Sequence, residues 1–292
     1  MTIAACAKVN FTLEVLGVRP DGYHDLRSVV VPVSLADEVV LEPAEGVTLA
    51  VRGDGGRGAE KDNLAVRAAR LMQRVSGRKD GVAITLEKRI PVGGGLGGGS
   101  ADAAAVLNGL NEMWGLGIPR KDLASLGAEI GSDVPALVLG GAVLMEGRGE
   151  RVAPLFPLPS SLFPLPSSLV TFHLVLANPG IFCSTPEIFK AFDAPLPNRP
   201  EIFYNMRLAM QSGDGAAVAR ALQNDLVATA MRLHPEIGAV RQRLETVGCL
   251  GASMSGSGAT VFGIARDAAE AGRIARTLEA EGLWSVAVET VR

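Results

Sequence analysis

The sequence predicts an α+β protein built from two lobes. Two β-rich runs, residues 4–16 and 27–41, flank the turn sequence Arg19–Gly22 and predict two strands joined by a tight connection. A glycine-rich segment at 93–99 separates a predicted strand from a predicted helix. The chain closes with a predicted strand, helix and strand between residues 259 and 291, an order typical of an α+β lobe.

The composition is that of a globular protein with a substantial core. Of the 292 residues, 48% are hydrophobic, which is enough for one large domain or two ordinary ones. The 28 Lys and Arg residues against 31 Asp and Glu give a net charge of −3, so no nucleic-acid partner is expected. No apolar stretch reaches the length of a membrane span, and no signal sequence opens the chain, so no membrane partner is expected either.

The cysteines and histidines predict no metal centre. Cys6, Cys183 and Cys249 are far apart and form no Cys-x-x-Cys pair, so neither a disulfide framework nor a thiolate zinc site is indicated. The three histidines are scattered along the chain. A cytoplasmic location is expected from this cysteine usage.

A helix and a strand lead into the glycine-rich segment. Apolar residues recur at helical spacing over 63–75, after the capping candidate Asn63. Residues 82–90 then predict a strand that stops at Pro91.

Two predicted helices follow the glycines. The first begins near Ser100, an able N-cap, with Asp102 in its first turn, where the helix dipole favours a carboxylate. The second covers 120–130 and breaks before Asp133, which we expect in a turn.

A proline-rich repeat separates the two predicted lobes. The seven residues 155–161 recur as 162–168, and their prolines exclude a regular helix or a central strand. We therefore predict a linker at 154–169 between an N-terminal lobe, 1–153, and a C-terminal lobe, 170–292. The second lobe begins with a predicted strand at 171–177, and its predicted helices include 216–223 and 236–246.

Six of the seven positions from 93 to 99 are glycine. Glycines allow close approach of the backbone to a ligand, and successive N–H groups before a helix N-terminus attract an anion, so a phosphate-binding loop is predicted. The spacing matches G-x-G-x-x-G, but a second helix follows where a dinucleotide-binding fold needs a strand. No lysine follows the glycines, which argues against a P-loop NTPase.

Three segments resemble the motifs of the GHMP kinases, a superfamily of small-molecule kinases. They are Pro91–Ala101, Ala5–Phe11 and Met254–Ala259. The resemblance implies a two-lobed GHMP kinase fold, with a mixed sheet and helices in the N-terminal lobe and a ferredoxin-like α+β arrangement in the C-terminal lobe. It also implies ATP and Mg²⁺ as cofactors.

Further segments resemble one branch of this superfamily, whose substrate is 4-diphosphocytidyl-2-C-methyl-D-erythritol, a cytidine diphosphate compound of the non-mevalonate route to isoprenoid precursors. They are Lys8–Asn10, Asp21–His24, Asp62–Leu64, Gly131–Pro135 and Thr185–Phe189. The resemblance spans nearly the whole chain. The sequence departs from the branch at the duplicated Pro/Ser segment and at Ala101, where many members carry serine.

The resemblance assigns the catalytic roles to Asp133 and Lys8. Asp133 is the expected base, although a turn aspartate often only hydrogen-bonds its own backbone. Lys8 is expected to keep that carboxylate ionised and to stabilise charge on the transferred phosphoryl group. A strand lysine that extends its ammonium to solvent is the alternative.

The remaining site residues also follow from the resemblance. The expected nucleotide-binding residues are Asn63, Lys88, Pro91, Val92, Gly93, Gly94, Gly95, Leu96, Gly97, Gly98, Gly99, Ser100, Ala101 and Thr185. The expected substrate-binding residues are Asn10, Tyr23, His24, Phe189, Gly256, Ser257 and Gly258. Asn63 could act only as a helix cap, Phe189 only as core, and Tyr23 and His24 only as an exposed loop pair. Ser100 is the candidate contact for Mg²⁺.

Two other functions remain open at this point. One is a GHMP kinase that acts on mevalonate, homoserine or a sugar, which the loop of Tyr23 and His24 together with Phe189 disfavours. The other is a catalytically silent sensor, which the presence of both Lys8 and Asp133 disfavours. A monomer or weak homodimer is expected.

Overall fold

Two β-sheets with helices packed against them organise the chain in the computed structural model, which describes residues 1–53, 62–156, 171–193 and 199–291. The strands are β1 (Thr2–Val18), β2 (His24–Ala44), β3 (Val47–Gly53), β4 (Gly81–Lys88), β5 (Val143–Gly147), β6 (Arg151–Pro154), β7 (His173–Asn178), β8 (Gln223–Asn224), β9 (Gly251–Met254), β10 (Val261–Ala265) and β11 (Trp284–Glu289). The helices are α1 (Leu64–Ser76), α2 (Gly98–Met113), α3 (Arg120–Gly127), α4 (Val134–Leu139), α5 (Thr185–Ala191), α6 (Glu201–Ser212), α7 (Gly215–Ala221), α8 (Val227–Leu233), α9 (Pro235–Thr246) and α10 (Ala268–Ala280).

The first sheet is mixed, as predicted. Over the described residues it has seven strands, and its main order is β3-β4-β2-β1-β8, with β5 paired to β2 and β6 paired to β5. The β3–β4 and β1–β8 pairs are parallel and the others are antiparallel. β1 and β2 form the predicted hairpin, closed by a hydrogen bond of 3.0 Å from Gly22 N to the carbonyl oxygen of Arg19.

Helices α1 and α2 cover one face of this sheet. The side chain of Asn63 caps α1 as predicted, accepting a hydrogen bond of 2.9 Å from Ala65 N. The start predicted for α2 is wrong, because its N-cap is Gly97 in the left-handed region rather than Ser100. Asp102 consequently lies beyond the first turn and is buried. The sequence did not predict α4, α5, α6 or α8, which are short or lack a long apolar stripe.

The second sheet has the predicted ferredoxin-like arrangement. In the described part of the chain its order is β11-β7-β10-β9, and every neighbouring pair is antiparallel. The chain order β7, helices, β9, β10, α10, β11 is the βαββαβ pattern with an extended first crossover.

The two sheets share a core, which fixes them against each other. Phe11 of β1 stacks on Phe262 of β10 with ring centroids 5.8 Å apart, and both are fully buried. β8 adds to the edge of the first sheet beside β1, although it belongs to the second half of the chain. Pro154 ends β6 and Leu155 is buried in the shared core, while residues 157–169 of the predicted linker lie outside the described residues.

No helix within the described ranges has both the length and the apolar character needed to cross a membrane.

Candidate active site

A cavity of about 890 Å³ lies where the glycine-rich loop meets the end of β9 and the start of α5. It brings together most of the predicted site residues. Those in its wall are Lys8, Asn10, Tyr23, His24, Asn63, Lys88, Pro91, Val92, Gly93, Gly94, Gly95, Leu96, Gly97, Gly98, Gly99, Ser100, Asp133, Thr185, Phe189, Gly256 and Ser257. The two remaining predicted residues, Ala101 and Gly258, lie outside the wall.

The glycine-rich loop is packed too tightly for side chains at several positions. Gly93, Gly95 and Gly97 have φ near +70°, where L side chains are strained. A Cβ at Gly95 would stand 2.1 Å from the carbonyl oxygen of Ser255. The loop is also bonded to this neighbouring segment, since Ser255 Oγ donates to Gly95 O at 2.9 Å and Thr260 N donates to Gly94 O at 3.1 Å. The backbone of the loop therefore faces the cavity without intervening side chains.

Lys8 and Asp133 face each other across this loop. Lys8 Nζ lies 3.5 Å from Asp133 Oδ2 and 2.8 Å from Asn10 Oδ1, and the lysine is only 3% exposed. It does not extend its ammonium to solvent. Asp133 sits in the predicted turn at the N-cap of α4, but its side chain makes no capping hydrogen bond. Its carboxylate thus stays available to the cavity, with Gly97 leaving the space between the two side chains open.

Lys88 is held by two carboxylates that the sequence did not single out for this contact. Its ammonium donates to Asp37 Oδ2 and, at 2.6 Å, to Asp102 Oδ2, and all three side chains are buried. Burial raises the pKa of the Asp102 carboxyl, while the Lys88 charge opposes the rise. Asp37 Oδ1 also accepts a hydrogen bond from Ile90 N at 2.9 Å, directly before the glycine-rich loop. The cluster of Lys88, Asp37 and Asp102 therefore links the end of β4, which precedes the glycine-rich loop, to helix α2, which follows the loop.

Aromatic side chains line the opposite end of the cavity. The His24 ring lies 5.1 Å from that of Phe189, centroid to centroid, and Phe192 packs edge-on to His24. Tyr23 is 54% exposed, and the guanidinium of Arg148 lies 3.9 Å from its ring centroid. Such an arrangement suits a flat heteroaromatic ring.

Arg148 is a cavity residue that the sequence does not predict. It follows Gly147 in the connection between β5 and β6. Among the described residues, no carboxylate lies within salt-bridge distance of its guanidinium, so its charge is available to an anionic ligand. Arg148 lies between two glycines, and nothing in this local sequence indicates a contact with Tyr23, because Tyr23 is far away along the chain.

The other predicted contacts have mixed roles. Asn63 both caps α1 and lines the cavity. The hydroxyls of Thr185 and Ser257 are 2.8 Å apart, and this hydrogen bond joins the start of α5 to the segment Met254–Ala259. Phe189 lines the cavity and packs against the core of the second sheet as well.

Two family models match the chain. The GHMP kinases N terminal domain matches residues 63–141, and GHMP kinases C terminal matches residues 206–282. The first range contains the glycine-rich loop and Asp133, and the second contains strands β9 and β10 of the second sheet with helices α7 to α10.

Curated relatives cover nearly the whole chain. A 4-diphosphocytidyl-2-C-methyl-D-erythritol kinase of Pelotomaculum thermopropionicum is 42% identical over 277 residues, which is 94% of this chain and 92% of the relative. One of Symbiobacterium thermophilum is 43% identical over 94% of each chain. The chain belongs to the 4-diphosphocytidyl-2-C-methyl-D-erythritol kinase family. It is a small-molecule kinase of the GHMP type.

Solved structures agree with membership in this kinase family. A crystal structure of 4-(cytidine 5'-diphospho)-2C-methyl-D-erythritol kinase superposes with a TM-score of 0.79, 36% identity and complete coverage of both chains. A homoserine kinase from Cytophaga hutchinsonii, at 19% identity, has a TM-score of 0.73 over 99% of this chain and 93% of its own. The second likeness shows the shared GHMP kinase fold alone.

The packing predicts opposite effects for two alanine substitutions in one glycine run. Gly95→Ala should lower the free energy of unfolding by at least about 1 kcal/mol, because φ is left-handed and the added Cβ meets backbone. Gly99→Ala should leave it unchanged or raise it by up to about 1 kcal/mol, since Gly99 is helical and a Cβ there meets only Leu64 Cδ1 at 3.7 Å. Denaturant unfolding of both variants measures the difference. Equal stability of the two would contradict the packing described here.

Proposed function

We propose that this chain transfers the γ-phosphoryl group of ATP to the 2-hydroxyl of 4-diphosphocytidyl-2-C-methyl-D-erythritol. The products are ADP and the 2-phosphate of the cytidine compound. The proposal is supported by a single cavity that is lined by the Lys8–Asp133 pair, by the glycine-rich loop and by the aromatic side chains of Tyr23, His24 and Phe189.

The transfer needs an acceptor for the alcohol proton and positive charge near the moving phosphoryl group. Asp133 takes the proton as the substrate oxygen forms its bond to the γ-phosphorus and the bond to the ADP oxygen breaks. Lys8 stabilises the negative charge on the transferred group and attracts the carboxylate of Asp133, whose Oδ2 lies 3.5 Å from Lys8 Nζ. Its burial strengthens both effects, because water screens the charge little.

The glycine-rich loop and the N-terminus of α2 are the proposed cradle for the ATP phosphates. Consecutive backbone N–H groups and the positive end of a 16-residue helix both favour anions there. Asn63 and Lys88 are the proposed neighbours of the adenine. Because two carboxylates already hold the Lys88 ammonium, its role toward the base is mainly to fix the pocket shape.

Mg²⁺ fits this cavity. The ion commonly takes one or two protein oxygens together with nucleotide phosphates and water. The described residues contain no cluster of three or more His, Cys, Asp or Glu side chains, so phosphates and water would supply most ligands. Ser100 lines the cavity, and its hydroxyl is the proposed protein contact. When bound, the ion would neutralise charge on the β- and γ-phosphates.

The aromatic end is the proposed cytosine site. Phe189 and Tyr23 would contact the faces of the base, and His24 would hydrogen-bond its edge. Arg148 would hold Tyr23 by its cation–π contact and face the substrate diphosphate with an available charge. The free thiols of the three cysteines agree with an enzyme that works in the reducing cytoplasm.

ADP release from Mg-ATP tests the proposal. The purified protein is offered the cytidine diphosphate methylerythritol substrate, mevalonate, homoserine or galactose in parallel. Turnover with the cytidine compound alone is the expected result. Turnover with another acceptor would reassign the substrate, and silence with all four despite ATP binding would favour the sensor.

Asp133→Asn should lower kcat by about 10² to 10⁴ and leave the Kd for ATP nearly unchanged, because the amide cannot accept the alcohol proton. Steady-state kinetics and calorimetric titration measure the two quantities. Asp122→Asn, at an exposed position of α3, is the matched control and should retain activity. Near-normal turnover of the Asp133 variant would remove this carboxylate from the mechanism.

Tyr23→Ala should raise KM for the cytidine substrate about tenfold, since stacking of a base on an aromatic ring contributes on the order of 1 to 3 kcal/mol. KM for ATP should stay unchanged. The chain has only one other tyrosine, Tyr204, which is 58% exposed on α6 and outside the cavity wall, so Tyr204→Ala is the control. An equal rise in both KM values would show that Tyr23 does not belong to the cytosine site.

A further inference from the structure

A buried chain of hydrogen bonds runs from Lys8 to a serine that does not line the cavity. Lys8 Nζ donates to Asn10 Oδ1 at 2.8 Å, Asn10 Nδ2 donates to Ser28 Oγ at 2.8 Å, and Ser28 Oγ donates to the carbonyl oxygen of Thr12 at 2.6 Å. Ser28 has no exposed surface, and Asn10 is 1% exposed. This series of hydrogen bonds crosses from β1 to the neighbouring strand β2 and returns to β1.

The count of protons along this chain fixes its direction. A serine hydroxyl has one proton, and the Thr12 carbonyl can only accept, so Ser28 Oγ must present a lone pair to Asn10. If the Asn10 amide were turned over, its oxygen would face that lone pair and its NH₂ group would face the Lys8 ammonium. Both contacts would be repulsive in a buried site, where an unpaired polar group is costly.

A second hydroxyl near Asn10 does not share this role. Ser255 Oγ is 3.5 Å from Asn10 Oδ1, but its proton is used at 2.9 Å on the carbonyl oxygen of Gly95. Ser28 is thus the hydroxyl whose bonding decides which end of the amide enters the cavity.

We propose that Ser28 is a positioning residue for phosphoryl transfer, which acts by holding the Asn10 amide with its oxygen toward the cavity. Asn10 then works in the site as a hydrogen-bond acceptor, and it orients the Lys8 ammonium between its own oxygen and the carboxylate of Asp133. The importance of this orientation for turnover rests on the function proposed above, whereas the orientation itself does not.

A double-mutant cycle tests whether Ser28 acts through Asn10. Ser28→Ala should lower kcat about tenfold, the factor that one buried hydrogen bond of ordinary strength supplies, with KM for ATP changed less than twofold. In an Asn10→Ala background the same change should lower kcat less than twofold. Ser34→Ala, at an exposed position of the same strand, is the matched control and should retain full activity. Equal losses in both backgrounds would overturn the proposal.

An NMR measurement on the unsubstituted protein tests the orientation without relying on activity or on the folding of a variant. The side-chain amide protons of Asn10 should show nuclear Overhauser effects to the β protons of Ser28. Contacts to the ε protons of Lys8 in their place would mean the opposite orientation and would overturn the proposal. If ADP release is absent but the Ser28 contacts are present, the proposed function fails while the assigned orientation stands.

Discussion

Direct packing of backbone on backbone is the constraint on which the site depends. Gly95 lies against Ser255 and Gly258, with no room for a side chain at their contact. Lys8 N donates at 2.9 Å to the carbonyl oxygen of Leu96, which adds β1 to the same junction. Segments near residues 8, 95 and 256 are thereby fixed within a few ångströms of one another, although the chain separates them widely. The side chain of Lys8, for which a catalytic role is proposed, takes its position from this junction, and the shared core around Phe11 and Phe262 holds the two sheets together.

The two buried lysines near the loop are held in different electrostatic settings. Lys88 faces two carboxylates, Asp37 and Asp102, both almost completely buried, so its charge is used within the protein. Lys8 faces one partly exposed carboxylate at 3.5 Å and one amide oxygen. When buried carboxylates pair with a lysine in good geometry, the attraction offsets the cost of desolvation and little of the lysine charge remains for a ligand. A lysine whose charge is less compensated by carboxylates attracts an anion. This difference is consistent with a structural role of Lys88 beside the loop and with the proposed role of Lys8 toward the transferred phosphoryl group.

Local signals were enough to predict much of the fold. The turn at Arg19–Gly22 and the cap at Asn63 depend on neighbouring residues, and both are present as predicted. The predicted start of α2 is wrong, because Gly97, which has a positive φ, ends the loop and the helix begins at Gly98. The residue type of Ser100 is typical of an N-cap, but the residue type alone does not show that the helix begins two positions earlier, at Gly98.

Contacts between distant segments could not be predicted from the residues themselves. The partners of Lys88, the stacking of Arg148 on Tyr23 and the bond from Asn10 to Ser28 each join different strands or loops. Resemblance to known kinases supplied most of the candidate site, since Lys8 and Asp133 are 125 positions apart and no spacing rule relates them. Their facing arrangement depends on the whole first sheet and on the turn before α4.

Lys8 and Asp133 are proposed to act as one catalytic unit, and a comparison of kcat for Lys8→Met, Asp133→Asn and the double variant measures whether they do. If the two side chains act together, removal of either one already abolishes their joint effect. The kcat of the double variant should therefore be at most about threefold lower than that of the slower single variant. Folded protein would be verified by circular dichroism, and kcat would be expressed per folded molecule. A loss in the double variant equal to the product of the two single losses would show that the side chains act independently and would contradict the account.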